Sequence, residues 1–266
     1  MKVLVLGAEG MLGSAIAKEL AGPELIAPTR EQYSAPDPID QFMLTEGDIV
    51  INCIGIIPQK HKDAELMAKI NGEYPHMLAK RKDLYFIQIA TDCAFSGEQG
   101  FYTEASLRDA TDAYGKSKIR GEVEASNFLN LRCSIIGPEK RGKKSLFEWV
   151  KNQPTNAVIN GYVNHYWNGL TTEAFARVIK GIIKQDYLIA GIQHLLPLDW
   201  VSKYELIKMI TSRLGRTDIE VIPTIAKPVD RRLATKYGYT NNLLWRNSRY
   251  FRAPTIAEMV RTMEVE

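Results

Sequence analysis

Lys2-Val3-Leu4-Val5-Leu6-Gly7-Ala8-Glu9-Gly10-Met11-Leu12-Gly13-Ser14-Ala15-Ile16-Ala17 is the stretch whose reading decides the fold. Residues 2–6, mostly Val and Leu with no turn former, predict a strand buried on both faces, the habit of parallel sheets. Glycines spaced three apart follow at once, and apolar residues at helical spacing come next. A strand, glycine turn and helix in that order can hold a dinucleotide pyrophosphate. Glycines such as Gly7, Gly10 and Gly13 let the backbone approach the phosphates, and the helix N-terminus offers unpaired N–H groups with a partial positive charge. The spacing G-x-x-G-x-x-G is one residue longer than G-x-G-x-x-G, and no Gly-Lys-Ser/Thr follows, so this is not a mononucleotide P-loop. An ordinary glycine-rich turn would share the spacing; the flanking strand and helix favour dinucleotide binding.

A chain of 266 residues can bury a real core, yet it is short for two independent domains. A doubly wound α/β domain with a smaller appended lobe fits that length. The net charge of +3, from 34 basic and 31 acidic residues, is too balanced to indicate a nucleic-acid partner. Cys53, Cys93 and Cys133 are an odd, scattered set without C-x-x-C or a histidine at ligand spacing, so neither a disulfide framework nor a metal site is expected. A reducing cytoplasm is the corresponding location. The N-terminal apolar run is too short for a signal peptide, and no run approaches the roughly 18 apolar residues of a membrane span.

Along the chain, strands and helices alternate. Residues 24–30 read as a short second strand ending in Arg30, where a dinucleotide fold faces the adenosine ribose. A base there suits a 2′-phosphate and an acid suits a 2′-hydroxyl, so NADPH is favoured over NADH, although a solvated loop arginine would look alike. Residues 47–55 form another buried strand ending in small residues, which leave room for a cofactor or simply for a tight turn. Residues 64–81 carry helical spacing, 84–90 read as a strand leading into Thr91, 114–122 as the start of a helix, and 127–134 as a strand.

Tyr114 and Lys118 are four apart and share one helix face, so an ammonium can stabilise a phenolate whose proton ordinarily leaves near pH 10. Lys118 can also reach nicotinamide ribose hydroxyls, and Thr91 can donate to a substrate carbonyl while Tyr114 protonates it. The motif alone is weak, because Tyr204 and Lys208 repeat it on an amphipathic helix. Context separates them: Tyr114 follows Thr91 by one loop, in the half that carries the glycine turn.

At these residues the chain resembles the extended short-chain dehydrogenase/reductases, and among them the dTDP-4-dehydrorhamnose reductase branch of nucleotide-sugar enzymes. The matching pieces are Gly7-Ala8-Glu9-Gly10-Met11-Leu12-Gly13, Thr91-Asp92 with Phe95-Ser96-Gly97, Tyr102-Thr103-Glu104, and Tyr114-Gly115-Lys116-Ser117-Lys118 with Gly121-Glu122. Residues 131–137, Gly169-Leu170-Thr171 and the looser 227–233 segment extend the likeness over most of the chain. The resemblance implies a Rossmann domain over residues 1–136 and about 161–196, with a substrate-binding lobe from 137–160 and 197–266. It implies hydride transfer from NADPH, or NADH, to the C4 ketone of a nucleotide-linked 4-keto-6-deoxy sugar, with Tyr114 as acid, Lys118 as its partner and Thr91 as carbonyl donor. By the same resemblance Gly10, Met11 and Leu12 meet the pyrophosphate, Arg30 meets the ribose, and Cys53, Ile54, Gly55 and Ile57 touch the cofactor. Thr91, Asp92 and Ile135 touch the sugar. A homodimer is compatible with the family.

There are departures. The family's acid near the adenine has its nearest counterparts in Ser34 and Asp37, its strand-end alanines are Cys53, Ile54 and Gly55, and Cys93 replaces an aromatic. Cys93 also matches the offset of the cysteine in GDP-fucose synthase-like epimerase/reductases, where it works with a histidine, and His165 is the candidate partner here; a packed, inert cysteine is the alternative. The Asp-Glu pair of the 4,6-dehydratases is missing after Thr91. A third reading is a dinucleotide-binding regulatory subunit without catalysis, which would not need Thr91, Tyr114 and Lys118. For a diphosphate, candidate cations are Lys140, Arg141, Lys143, Lys144, Lys151, Arg231 and Arg232, and Tyr162, Tyr166 and Trp167 could stack on a base or sugar.

Overall fold

The computed structural model describes residues 1–140 and 142–265. Its centre is a six-stranded, all-parallel sheet in the order β2-β1-β3-β4-β5-β10. The strands are β1 (Val3–Leu6), β2 (Leu25–Ile26), β3 (Ile49–Asn52), β4 (Tyr85–Thr91), β5 (Phe128–Cys133) and β10 (Gly191–His194). Every residue of β1 and β3 is buried, as covering both faces of a parallel sheet requires. Alternation divides them: Val3, Val5, Ile49 and Ile51 pack beneath α1 (Met11–Glu19) and α6 (Thr172–Lys184), while Leu4, Leu6 and Val50 face Tyr74, Leu78 and Phe86 on the opposite side. Each fully buried aliphatic side chain contributes about 1.5–3 kcal/mol. The strand order reverses at β1, and the carboxyl ends of β1 and β3 open there into a crevice.

The expected second strand is shorter than its residue pattern, because Pro28 and the turn at Thr29–Tyr33 stop the pairing after Ile26. The helix expected over residues 64–81 is broken in a useful way. α2 (Ala64–Met67) passes into a π-helical turn at Ala68–Glu73 before α3 (Tyr74–Leu78), with Asn71 and Gly72 inside the wide turn. That turn packs on α4 (Ala113–Arg120), where a Cβ on Gly121 would come within 1.9 Å of the Asn71 carbonyl oxygen.

The remaining strands build three small sheets beside the crevice. β6 (Ile135–Ile136) pairs with β9 (Leu170–Thr171), and β7 (Val158–Tyr162), which follows α5 (Leu146–Lys151), pairs with β12 (Glu220–Thr224). β11 (Val201–Ser202), β8 (His165–Trp167) and β13 (Val229–Asp230) form the third. Ser202 caps α7 (Lys203–Arg213) through a reciprocal capping box with Glu205, α8 (Gly238–Asn247) lies against α6, and α9 (Ile256–Thr262) closes the chain behind a second such box at Thr255 and Glu258. The chain from Gly97 to Glu104 ties these parts to the large sheet: Tyr102 bridges Leu233 and stacks on Phe95, with ring centroids 4.3 Å apart. No helix among the described residues is long and apolar enough to cross a membrane.

Candidate active site

Gly7 ends β1 at φ +77°, a left-handed conformation that only glycine adopts without strain. The turn closes through a hydrogen bond from Gly10 N to Gly7 O, and Gly10 caps α1 without any side-chain bond. The first N–H groups of α1 therefore point into the crevice unmet by a side chain, as an anion requires. Gly13 serves the packing beneath: a Cβ there would lie 2.1 Å from Gly7 O. A cleft of about 610 Å³ runs from this turn. It is lined by Gly7, Gly10, Met11, Leu12, Arg30, Cys53, Ile54, Gly55 and Ile57, and further along by Thr91, Asp92, Tyr114, Lys118 and Ile135. Of the residues expected at the site, Gly13 alone stands outside that lining.

Arg30 is held at the turn by its backbone, whose N–H donates to the Glu9 carboxylate at 3.0 Å. Residues 53–57 are fixed by Asn71, which accepts from Ile56 N at 2.8 Å and donates to Ile56 O at 2.9 Å and Ser117 Oγ at 3.0 Å. The π-helical turn is what brings Asn71 to both the strand end and α4. An Asn-Gly pair inside a helical pattern was the only sequence sign of it.

Thr91 ends β4, accepting from Cys93 N and donating to Asp92 Oδ1, each at 3.2 Å. α4 approaches this turn closely because Gly115 has no side chain: a Cβ there would stand 2.5 Å from Cys93 O. Asp112 caps the helix by accepting from Gly115 N at 2.9 Å. Tyr114 is thereby delivered to the stretch of the cleft that Thr91 lines. Its phenol stands well above the usual tyrosine range, chiefly through burial and then the nearby Cys93, against the hydrogen bond to Thr91. This differs from the expectation that an adjacent ammonium lowers it, because Lys118 turns its Nζ to Ile89 O at 2.6 Å instead. Burial pulls Lys118 down to about 8, with Glu122, Cys53 and Cys93 opposing. A protonated phenol and a titratable amine thus flank the end of β4, a geometry able to protonate an oxygen bound at Thr91.

Cys93 does not contact His165, whose Nε2 engages Lys227 O at 2.7 Å while its ring packs on Tyr162. Burial, and next the Asp92 charge, push the Cys93 thiol up to about 12. Tyr204 and Lys208 lie together on α7, the ammonium 5.3 Å from the ring centroid, outside the cleft. Of the candidate diphosphate cations, Arg141 lies outside the described residues. Lys140, Lys143 and Lys151 line a separate cavity of about 600 Å³ against α1 and α6. Arg232 is occupied: Asp230 grips it at 2.6 and 2.9 Å, and Phe101, Trp200 and Tyr166 surround its guanidinium at 4.0, 4.1 and 4.4 Å from their centroids. Arg231 approaches Asp92, while Trp167 donates to Ser134 Oγ at 2.9 Å on the cleft wall. Lys60, His61 and Glu139 also line the cleft, unforeseen because they sit in loops without a motif. Among the described residues no group of three His, Cys, Asp or Glu side chains could hold a metal ion.

Residues 1–236 match the family model described as the RmlD substrate binding domain. Methionine adenosyltransferase 2 subunit beta of Danio rerio is 25% identical over 85% of this chain and 78% of its own. A dTDP-4-dehydrorhamnose reductase of Burkholderia thailandensis is 30% identical over 55% of the chain, a match spanning only about half, 53%, of that relative. The solved structure of dTDP-4-dehydrorhamnose reductase from Bacillus anthracis in complex with NADP superposes with a TM-score of 0.76 at 19% identity, covering 99% of this chain and 98% of that one.

Proposed function

The chain belongs to the RmlD substrate binding domain family, and from that premise we propose that it is an NADPH-dependent reductase of the C4 ketone of a nucleotide-linked 4-keto-6-deoxy sugar. One observation carries the reading: Thr91, Tyr114 and Lys118 line the same cleft as the glycine turn at Gly7 and Gly10. The cofactor fits the residues present, since the turn offers bare backbone at Gly7 and Gly10, an uncapped helix start and Arg30 at the ribose end. Gly7, Gly10, Met11 and Leu12 would hold its pyrophosphate, and Cys53, Ile54, Gly55 and Ile57 its inner half. NADPH supplies the hydride when bound; NADH is the lesser alternative.

The side chains do the rest. Thr91 donates to the substrate carbonyl oxygen, and Asp92 and Ile135 hold the sugar. Tyr114 gives its proton to the oxygen as negative charge gathers there, and burial keeps the phenol protonated until that moment. Lys118 balances the phenolate left behind and reaches the ribose hydroxyls. In this reading residues 1–136 and about 161–196 serve the cofactor and residues 137–160 and 197–266 the substrate, with β8 (His165–Trp167) joined to β11 and β13 of the substrate part.

Tyr114→Phe tests the reading: turnover of a 4-keto-6-deoxy sugar nucleotide should fall about 10²–10⁴-fold with NADPH affinity retained, and full turnover would overturn it. dTDP-, UDP- and GDP-linked substrates assayed in parallel identify the base. The long match to a protein named as a subunit supports a second reading, a regulatory subunit that binds a dinucleotide without turning it over. It has no use for Thr91, Tyr114 and Lys118 together, and it would gain support if the chain bound NADPH yet oxidised it with none of these sugars. The epimerase/reductase reading is weaker, since Cys93 is held as a neutral thiol and His165 is engaged elsewhere.

A further inference from the structure

Two cavities meet at the start of α1. Met11 and Glu139 line both the cleft of about 610 Å³ and the separate cavity of about 600 Å³ against α1 and α6. These two residues therefore stand on the partition between the cavities, which puts Glu139 beside the first turn of α1, the turn that leaves its N–H groups unmet by a side chain. Glu139 is nearly enclosed, its side chain 4% exposed, and its Oε2 accepts from Lys144 N at 3.0 Å. The cation that answers this carboxylate is Lys60, whose Nζ stands 3.9 Å from Oε2.

Lys60 comes from the loop that follows β3. Lys60 N and His61 N both donate to Ile57 O, at 3.0 and 3.1 Å, in a turn whose three residues all line the cleft. The lysine stem then runs across Gly142, where a Cβ would stand 2.9 Å from Lys60 Cε and 3.2 Å from Nζ. A side chain at position 142 would displace the amine, and its φ of +96° also asks for glycine. At 3.9 Å the Lys60–Glu139 pair is a charge contact and not a hydrogen bond. Among the described residues the Lys60 ammonium makes no hydrogen bond, so its three donors are unspent.

We infer that Lys60 is a pyrophosphate-binding residue for the dinucleotide, and that the Glu139 carboxylate competes for it. The inference rests on the dinucleotide reading of the cleft. The glycine turn offers a pyrophosphate only N–H groups and a helix dipole worth about half a charge, against a doubly charged group. Lysine and arginine side chains elsewhere in the lining serve other places: Lys118 Nζ donates to Ile89 O, and Arg30 serves the ribose end. A phosphate oxygen within hydrogen-bond distance offers the ammonium more than a carboxylate 3.9 Å away, because charge-assisted hydrogen bonds are the strong ones. Lys60 and Glu139 then act on the cofactor in opposite senses, whereas the partners of a structural ion pair would act alike.

The probes are NADPH, NADH and dTDP, titrated by calorimetry against wild type, Lys60→Met, Lys60→Arg and Glu139→Gln. Met keeps the stem over Gly142 and removes the charge, and Gln keeps an acceptor for Lys144 N. Lys60→Met should weaken NADPH and NADH by the same factor, about 10- to 100-fold, the worth of a charge-assisted hydrogen bond, and Lys60→Arg should recover part of the loss. Glu139→Gln should tighten both cofactors about 2- to 10-fold by removing the competing state. Affinity for dTDP, and the melting temperature, should stay constant. Unchanged cofactor affinity in Lys60→Met overturns the inference. So does a loss confined to NADPH, which moves the amine to the 2′-phosphate, or one confined to dTDP, which gives it to the substrate's diphosphate. Weaker cofactor binding in Glu139→Gln as well overturns it too, making the pair a structural clasp. These titrations need no turnover: wild type that binds neither NADPH nor NADH ends the dinucleotide reading itself, while wild type that binds both and is matched by Lys60→Met ends only the inference.

Discussion

Lys118 Nζ donates to the carbonyl oxygen of Ile89 at 2.6 Å, so the amine of α4 is anchored on the strand that ends in Thr91. Burial holds this amine down to about 8, which puts its loss of charge within reach of ordinary assays. Reduction that needs the ammonium beside the phenol should therefore decline as pH rises through about 8. Lys118→Arg, charged at every accessible pH, should lower the rate yet remove that alkaline limb. A kcat profile from pH 6 to 10 checks both, and a wild-type profile flat across pH 8 would count against the assignment.

The same amine makes a stability prediction of definite sign. Its folded value, about 8, lies below the unfolded 10.5, so between them the unfolded chain binds more protons and unfolding becomes harder as pH rises. Lys118→Met abolishes that contribution. Urea midpoints measured at pH 7.5 and 9.5 should shift upward more in the wild type than in the variant.

A Cβ on Gly13 would meet Gly7 O at 2.1 Å and Gly7 C at 2.8 Å, both backbone atoms that cannot swing aside. Gly13→Ala should push α1 off β1, destabilising the fold by about 1–3 kcal/mol and spreading the turn that NADPH would occupy. Loss of NADPH fluorescence enhancement, with a lower melting temperature, is the expected pair of results; a variant that binds normally would show the turn to be slack.

Arg30 lies at the cleft mouth with its N–H tied to Glu9, so its side chain can change without moving the loop. Arg30→Asp should weaken NADPH about 10- to 100-fold, the value of a guanidinium–phosphate contact, while NADH changes by a few-fold at most. Comparing KM for the two cofactors measures this, and an unaltered preference would make Arg30 a solvated loop residue.

What could be read from residue types was chiefly what is local. The β1–glycine–α1 unit is continuous in the chain, and Tyr114 and Lys118 share a helix face by spacing alone. The decoy Tyr204/Lys208 was separable for a physical reason, because it lies on α7 outside the cleft that the glycine turn lines. Asn71 escaped notice because a π-helical turn shifts side-chain directions that regular spacing presumes. The loop residues Lys60 and Glu139 converge across a gap of 3.9 Å with nothing periodic to announce them.

Arg132 and Glu122 give the last prediction. Arg132 is fully buried at 0% exposure, and its Nε and Nη2 reach the Glu122 carboxylate at 2.9 and 2.7 Å. Its Nη1 stands 2.8 Å from His194 Nε2, which accepts, because burial and the adjacent Arg132 hold that imidazole down to about 4 and so neutral. The other ring nitrogen then donates to Ala234 O at 2.7 Å. The ion pair thus sits where β5 and β10 meet the chain that returns from β13. Glu122→Gln leaves a buried guanidinium without its counter-charge, a change that costs about 3–5 kcal/mol, or a fall of roughly 10 °C in Tm for a chain of this size. Arg132→Met combined with Glu122→Leu removes both charges, so the double variant should regain more than half of that loss even though His194 and Arg108 each lose a partner. Thermal unfolding of the three proteins decides between the terms: a double variant as unstable as the single one would mean that the hydrogen bonds to His194 and Arg108, rather than the paired charges, hold this junction together.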